Sequence, residues 1–347
     1  MTQPVLGLLS SAIVMAVALG FISLFDFGTF ASWVAFVMLG LIPMQIVAVV
    51  LWEANPGFAR GLSQPVKGIV LTLVTVVATA VISPLAFMVV GEGVSPPGPI
   101  PSHYVIAVVP TTFWLAIMMG GWPCKSVVKN PIGSGLVLLV ASYLITFVVF
   151  RLFFNYDFMQ GAPVYLASAP LGAFNAVSAL VFYVTALAVM FLVLCFDLWP
   201  LTNFRGIMKQ PTLGVVWTVV ALAGAALAML VGVDVMDADP MAFFTSVTVP
   251  FIFGSIIVLN MLQNSLFAKM TQPLKGVMNT VAAAVIGVVL ARLYVALAPM
   301  VTGVLPSGPP GYEQQIWLAN SLLSVTFPFL IFHAALFGYW PLKSSRQ

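Results

Sequence analysis

Arg151 and Arg292 are the residues of this chain whose type and placement point most directly to chemistry. Each is set in a long apolar run, Arg151 twenty-one residues after Asn130 and Arg292 twenty after Gln272. A guanidinium held in low dielectric presents a rigid fork of donors that binds carboxylates and oxyanions in bidentate fashion. An ionisable residue within a membrane-length run is expected to have a function. Together they are expected to form an electropositive entrance for an anionic solute. The structural reading pairs Arg151 with Asp157, and Arg292 with Asp234, Asp237, Asp239 or Glu313.

Gln45, Asn279 and His333 are uncharged polar residues inside apolar runs and are candidates for polar gating; Asn175, Asn260 and Asn320 are of the same kind. Single amides in such runs more often join neighbouring helices by hydrogen bonds. His333 is the one imidazole inside a run and could change charge near neutral pH. No His/carboxylate cluster has metal-ligand spacing, and no nucleotide loop, haem-type His pair or pair of buried carboxylates occurs. The expectation is therefore a protein that is not an enzyme, with no cofactor, metal or nucleic-acid partner. Cys124 and Cys195 alone build no disulfide framework.

The elements that hold these residues follow from composition. Hydrophobic residues are 62% of the 347 and charged residues 6%, and mean hydropathy is +1.13. A soluble domain carries about 25% charged residues. Apolar runs near 5–25, 30–52, 68–90, 104–121, 135–154, 173–198, 213–233, 242–264, 275–298 and 315–340 are each long enough to cross about 30 Å of hydrocarbon as a helix. The fold class expected is an all-α, multi-pass integral membrane protein of ten transmembrane helices with no soluble domain. Its partners are the lipid bilayer and a small solute, with a second copy or another membrane subunit as a further possibility.

An internal repeat organises the runs. Gln3, Gln64, Gln210 and Gln272 are each followed by Pro and, four residues on, by Gly7, Gly68, Gly214 and Gly276; "NPIGSG" at Asn130 is a looser copy leading to Gly135. Proline in a first helical turn loses no hydrogen bond, and the polar side chain before it can accept from free N–H groups. Partner helices end in "GWPC", "LWPL" and "YWPL", with "ANPG" as a variant, and Pro43, Pro110, Pro250 and Pro328 lie within four of these partners. The chain reads as five two-helix hairpins, about 3–55, 64–123, 130–200, 210–264 and 272–341. Ten Lys and Arg, from Arg60 to Arg346, fall on the side of the Gln-Pro and Trp-Pro phrases and two on the other. The positive-inside rule then places both termini in the cytoplasm, in a cell membrane of the bacterial inner-membrane kind.

Down the Gln-Pro helices one face carries small and hydroxyl residues: Gly7 and Ser11; Gly68, Thr72, Thr75 and Thr79; Gly135, Ser142 and Thr146; Gly214 and Thr218; Gly276 and Thr280. Such a stripe packs helices closely or, if the five faced a common axis, lines a conduit. Five tandem hairpins with the Gln-Pro helices inside resemble, in hairpin count and parity, the fold of the tellurite-resistance/dicarboxylate transporters and plant guard-cell anion channels. The resemblance carries over no residue, and it departs in setting the mid-helix prolines on the outer helices. It implies a pseudo-fivefold bundle. The function expected is a channel or facilitator for a small anionic or neutral solute; the alternative is a membrane-embedded scaffold or anchor subunit with no pore.

Overall fold

A computed structural model describes residues 2–343; Arg346 lies outside the described residues. Among the described residues ten helices are long and apolar enough to cross a membrane: α1 Val5–Ile22, α2 Phe27–Leu51, α3 Val66–Val90, α4 Pro99–Met118, α5 Pro131–Phe153, α6 Ala176–Cys195, α7 Thr212–Val235, α8 Pro240–Met261, α9 Leu274–Val301 and α10 Glu313–Leu336. The chain is an all-α, multi-pass membrane-type protein.

The even-numbered helices form a closed ring, α2 against α4, α4 against α6, α6 against α8, α8 against α10, and α10 back against α2. The odd-numbered helices lie outside. In the most apolar eighteen-residue window, 50–83% of residues are buried for the even helices and 22–39% for the odd ones. This reverses the expected assignment: the Gln-Pro helices are the outer layer and the proline-bearing partners the inner one. The mid-helix prolines, expected on the outer helices, therefore lie on the inner ones. Hydropathy cannot separate the layers, because a lipid-facing helix and a helix buried among others are both apolar.

Each outer helix packs on the inner helix that precedes it: α3 on α2, α5 on α4, α7 on α6, α9 on α8, and α1 on α10. Its first turns also touch the end of the adjacent inner helix, so it sits in the groove between two ring members. The small-residue faces point into these grooves, and valines and leucines such as Val77, Val81 and Leu85 point away.

Four inner helices carry a mid-helix proline, and each changes to a π-helical turn after it: Val47–Leu51, Trp114–Met118, Ile257–Met261 and Phe332–Leu336. Proline supplies no N–H and crowds the carbonyl four residues back, and π-helical turns also precede Pro250 and Pro328, at Phe244–Thr248 and Asn320–Thr326. The fifth, α6, has no internal proline and is α-helical throughout. Loops on the two faces are short, except for residues 154–175. There Phe154 pairs in parallel with Phe174, and Tyr156 is buried with its hydroxyl 2.9 Å from His103 Nδ1. Burial pushes the Tyr156 phenol well above its usual range.

Candidate functional site

The Gln-Pro phrase is a clamp between helices. Gln3 Nε2 donates to Met261 O (3.1 Å), Gln64 Nε2 to Leu336 O (2.8 Å) and Gln210 Nε2 to Met118 O (2.8 Å). Each acceptor is the last residue of an inner π-helical turn, where carbonyls have no partner within the helix. The carboxamide oxygens of Gln3, Gln64, Gln210 and Gln272 each accept from the backbone N–H of Gly7, Gly68, Gly214 and Gly276, at 3.0–3.2 Å. The fourth clamp varies, because Gln272 Nε2 donates to the Asp197 carboxylate, beside Lys275 Nζ on the same oxygen at 2.7 Å. At the looser copy, Trp52 Nε1 donates to Pro131 O at 3.0 Å. The glycines let the ends meet. A Cβ on Gly7 would overlap the Met261 carbonyl, one on Gly276 the Phe196 ring, and one on Gly68 would lie 2.6 Å from Phe337.

The hydroxyls of the stripes bond to their own helices: Ser11 to Gly7 O, Thr75 to Thr72 O, Thr79 to Thr75 O, Ser142 to Leu138 O, Thr146 to Ser142 O, Thr218 to Gly214 O and Thr280 to Gly276 O. Several also reach the inner ring. Thr79 donates to Gly40 O at 3.1 Å, Thr146 pairs with Thr111 at 2.7 Å, and Thr218 accepts from Trp114 Nε1 at 2.8 Å. Thr72 Oγ1 is buried with no partner. None of these residues lies on the axis, because outer helices reach the ring only through the grooves. The stripe lies between each outer helix and the ring.

The axis is walled by the inner ring. Phe113 of α4, Phe191 of α6, Ile256 of α8 and Phe327 of α10 converge there, each under 10% exposed. The ring of Phe113 meets that of Phe191 edge-on at 5.5 Å and stacks on Phe327 at 6.3 Å, both favourable aromatic geometries. These four residues bound two cavities. One, about 30 Å³, runs toward the acidic loops and is lined only by apolar residues of all five inner helices, among them Leu39, Val109, Val184, Ile252 and Leu323. The other, about 140 Å³, opens toward the basic face where the clamps lie, and all five inner helices line it as well. Its polar side chains are Gln45 and Asn260. The smaller void has room for about one water-sized molecule.

The remaining sequence candidates are dispersed. Arg151, exposed on α5, donates to Ser168 O and lies over the Phe147 ring at 5.9 Å, and makes no pair with Asp157. Arg292 is exposed on α9. Among the described residues the one ion pair is Lys275 with Asp197. Both arginines are on the outer layer, with α7 between their helices, so they do not flank the axis. Asn279 joins α9 to its neighbours, donating to Cys195 O (3.2 Å) and Asn264 Oδ1 (2.8 Å). His333 sits edge-on to Tyr339 at 5.9 Å with Nε2 buried and unpartnered, and is not among the residues lining either axial cavity. Of the intramembrane polar candidates, Gln45 and Asn260 line the larger axial cavity. Among the described residues no three His, Cys, Asp or Glu side chains form a metal-sized group.

Sequence reasoning missed the axial phenylalanines. Phe113 and Phe191 resemble any other apolar residue of a span, and only their meeting across three helices marks them. The chain matches no protein-family profile, no curated protein and no solved structure.

Proposed function

We propose that this protein is a channel or facilitator that passes a small solute along the axis of a pseudo-fivefold bundle, with both termini in the cytoplasm of a bacterial inner-membrane type of bilayer. The observation that carries the reading is the axial order of a larger vestibule, a constriction of Phe113, Phe191, Ile256 and Phe327, and a smaller void, with both cavities lined by all five inner helices. A hydrophobic constriction stops flow by excluding water and opens when side chains turn aside. The π-helical turns beside the mid-helix prolines support a functional axis, since such turns are rare and occur frequently at functional sites. No basic side chain lines either cavity, which favours a neutral solute over an anionic one. Catalysis forms no part of this reading.

A membrane-embedded scaffold is the second reading, favoured by the clamps that lock outer helices to ring ends and by the closed constriction. Reconstitution separates the two. Purified protein in liposomes is assayed for water and glycerol permeability, beside Phe113→Ala and Phe327→Ala. Each truncation costs about 3–5 kcal/mol of packing, so melting is followed in parallel. The conduit predicts permeability above that of empty vesicles, raised further in the folded variants. Permeability equal to empty vesicles in all three folded proteins would replace the conduit with the scaffold.

A further inference from the structure

Gln45 lies two residues after Pro43 on α2 and is completely buried. Its Nε2 donates to Pro328 O on α10 at 3.2 Å, which fixes the plane of the carboxamide. Its Oε1 has no partner, although it is walled in by protein on the vestibule side of the aromatic constriction. A buried acceptor left unpaired is costly and uncommon, and here its residue is one of those lining a space large enough for a ligand.

From this geometry we infer that the Gln45 carboxamide oxygen recognises the solute, and that the solute is a small uncharged molecule carrying an N–H or O–H donor. The inference rests on the conduit reading above. A lone carbonyl oxygen attracts donors and repels anionic or acceptor-only groups. The neighbouring walls, Ile46, Phe113, Phe327 and Ile331, offer nothing to compensate a full charge, and an ion would lose most of its hydration there without replacement. Asn260, the other polar side chain of the vestibule, is exposed toward the basic face and would meet the solute first. Donor solutes are thus drawn to the constriction, where Gln45 replaces one hydrogen bond to water.

The test compares urea, which donates, with dimethyl sulfoxide, which only accepts and is of similar size. Protein-dependent permeability to each is measured in liposomes for the wild type, Gln45→Met and Gln45→Glu. One hydrogen bond to a neutral acceptor predicts a urea preference of about fivefold in the wild type. Gln45→Met should abolish it. Gln45→Glu should retain it, because a carboxyl oxygen remains an acceptor in either protonation state. That variant also decides the matter should Gln45→Met fail to fold. Equal passage of both solutes in the wild type, an unchanged preference in Gln45→Met, or its loss in folded Gln45→Glu would overturn the assignment and leave the conduit standing. Passage of neither solute above empty vesicles would overturn both.

Discussion

Gln64 and Leu336 are 272 residues apart in sequence, yet the Gln64 carboxamide nitrogen donates to the Leu336 carbonyl at 2.8 Å while its oxygen holds the Gly68 amide at 3.1 Å. One side chain thereby serves the open end of α10 and the open start of α3. Gln3 and Gln210 do the same at other ring ends, so closing the ring depends on repeated local chemistry.

Replacing Gln64 with Leu removes both bonds and leaves a carbonyl and an amide unpaired at the basic face. Interhelical hydrogen bonds in membranes contribute about 0.6 kcal/mol each on average, and a lost cap adds about 1 kcal/mol. The expected outcome is destabilisation of about 1–2 kcal/mol, read as a lower melting temperature in detergent. Gln64→Glu, protonated or not, keeps the acceptor for Gly68 and should lose less. An unchanged melt in Gln64→Leu would show that the clamp adds nothing.

Gly287 of α9 and Gly254 of α8 cross at close range, and a Cβ on either would overlap a backbone carbonyl, that of Pro250 or of Ala283. Backbone cannot turn aside as a side chain can. Gly287→Leu is therefore expected to force α8 and α9 apart and sharply reduce the yield of folded monodisperse protein. A Cβ on Gly20 would meet nothing within 4 Å, and Gly20→Ala is the matched control, expected to fold normally. Size-exclusion profiles of the two variants check the contrast.

Arg151 and Arg292 are exposed on the outer layer, so neither is placed to act on a solute at the axis. Arg151→Gln and Arg292→Gln, singly and together, are expected to leave liposome flux unchanged. Arg151→Gln should loosen the 154–175 loop, because Arg151 donates to Ser168 O within it; faster hydrogen exchange there is the readout. A fall in flux with folding intact would restore the entrance that the sequence alone suggested.

The distribution of Lys and Arg predicts cytoplasmic termini. An alkaline phosphatase fusion at Gln347, active only outside the cytoplasm, should be silent. A fusion in the 154–175 loop should be active. The reverse pattern would invert the membrane orientation and place the vestibule on the outside.

The sequence by itself determined the class, the ten spans and the helix-start phrase. Apolar runs of membrane length have no other stable backbone than a helix, and the polar-Pro-x-x-Gly phrase suits a first helical turn. It also determined that Gly68, Gly214 and Gly276 allow close approach, since a missing Cβ has that meaning in any packed pair. Which layer faces the axis was decided only by the tertiary structure. Inside a bilayer, lipid and protein interior are equally apolar, so Val77 facing lipid and Val109 facing a cavity look alike in sequence. The same holds for the meeting of Phe113, Phe191 and Phe327 and for the free oxygen of Gln45. Those properties belong to the space between helices, and that space exists only once the ring has closed.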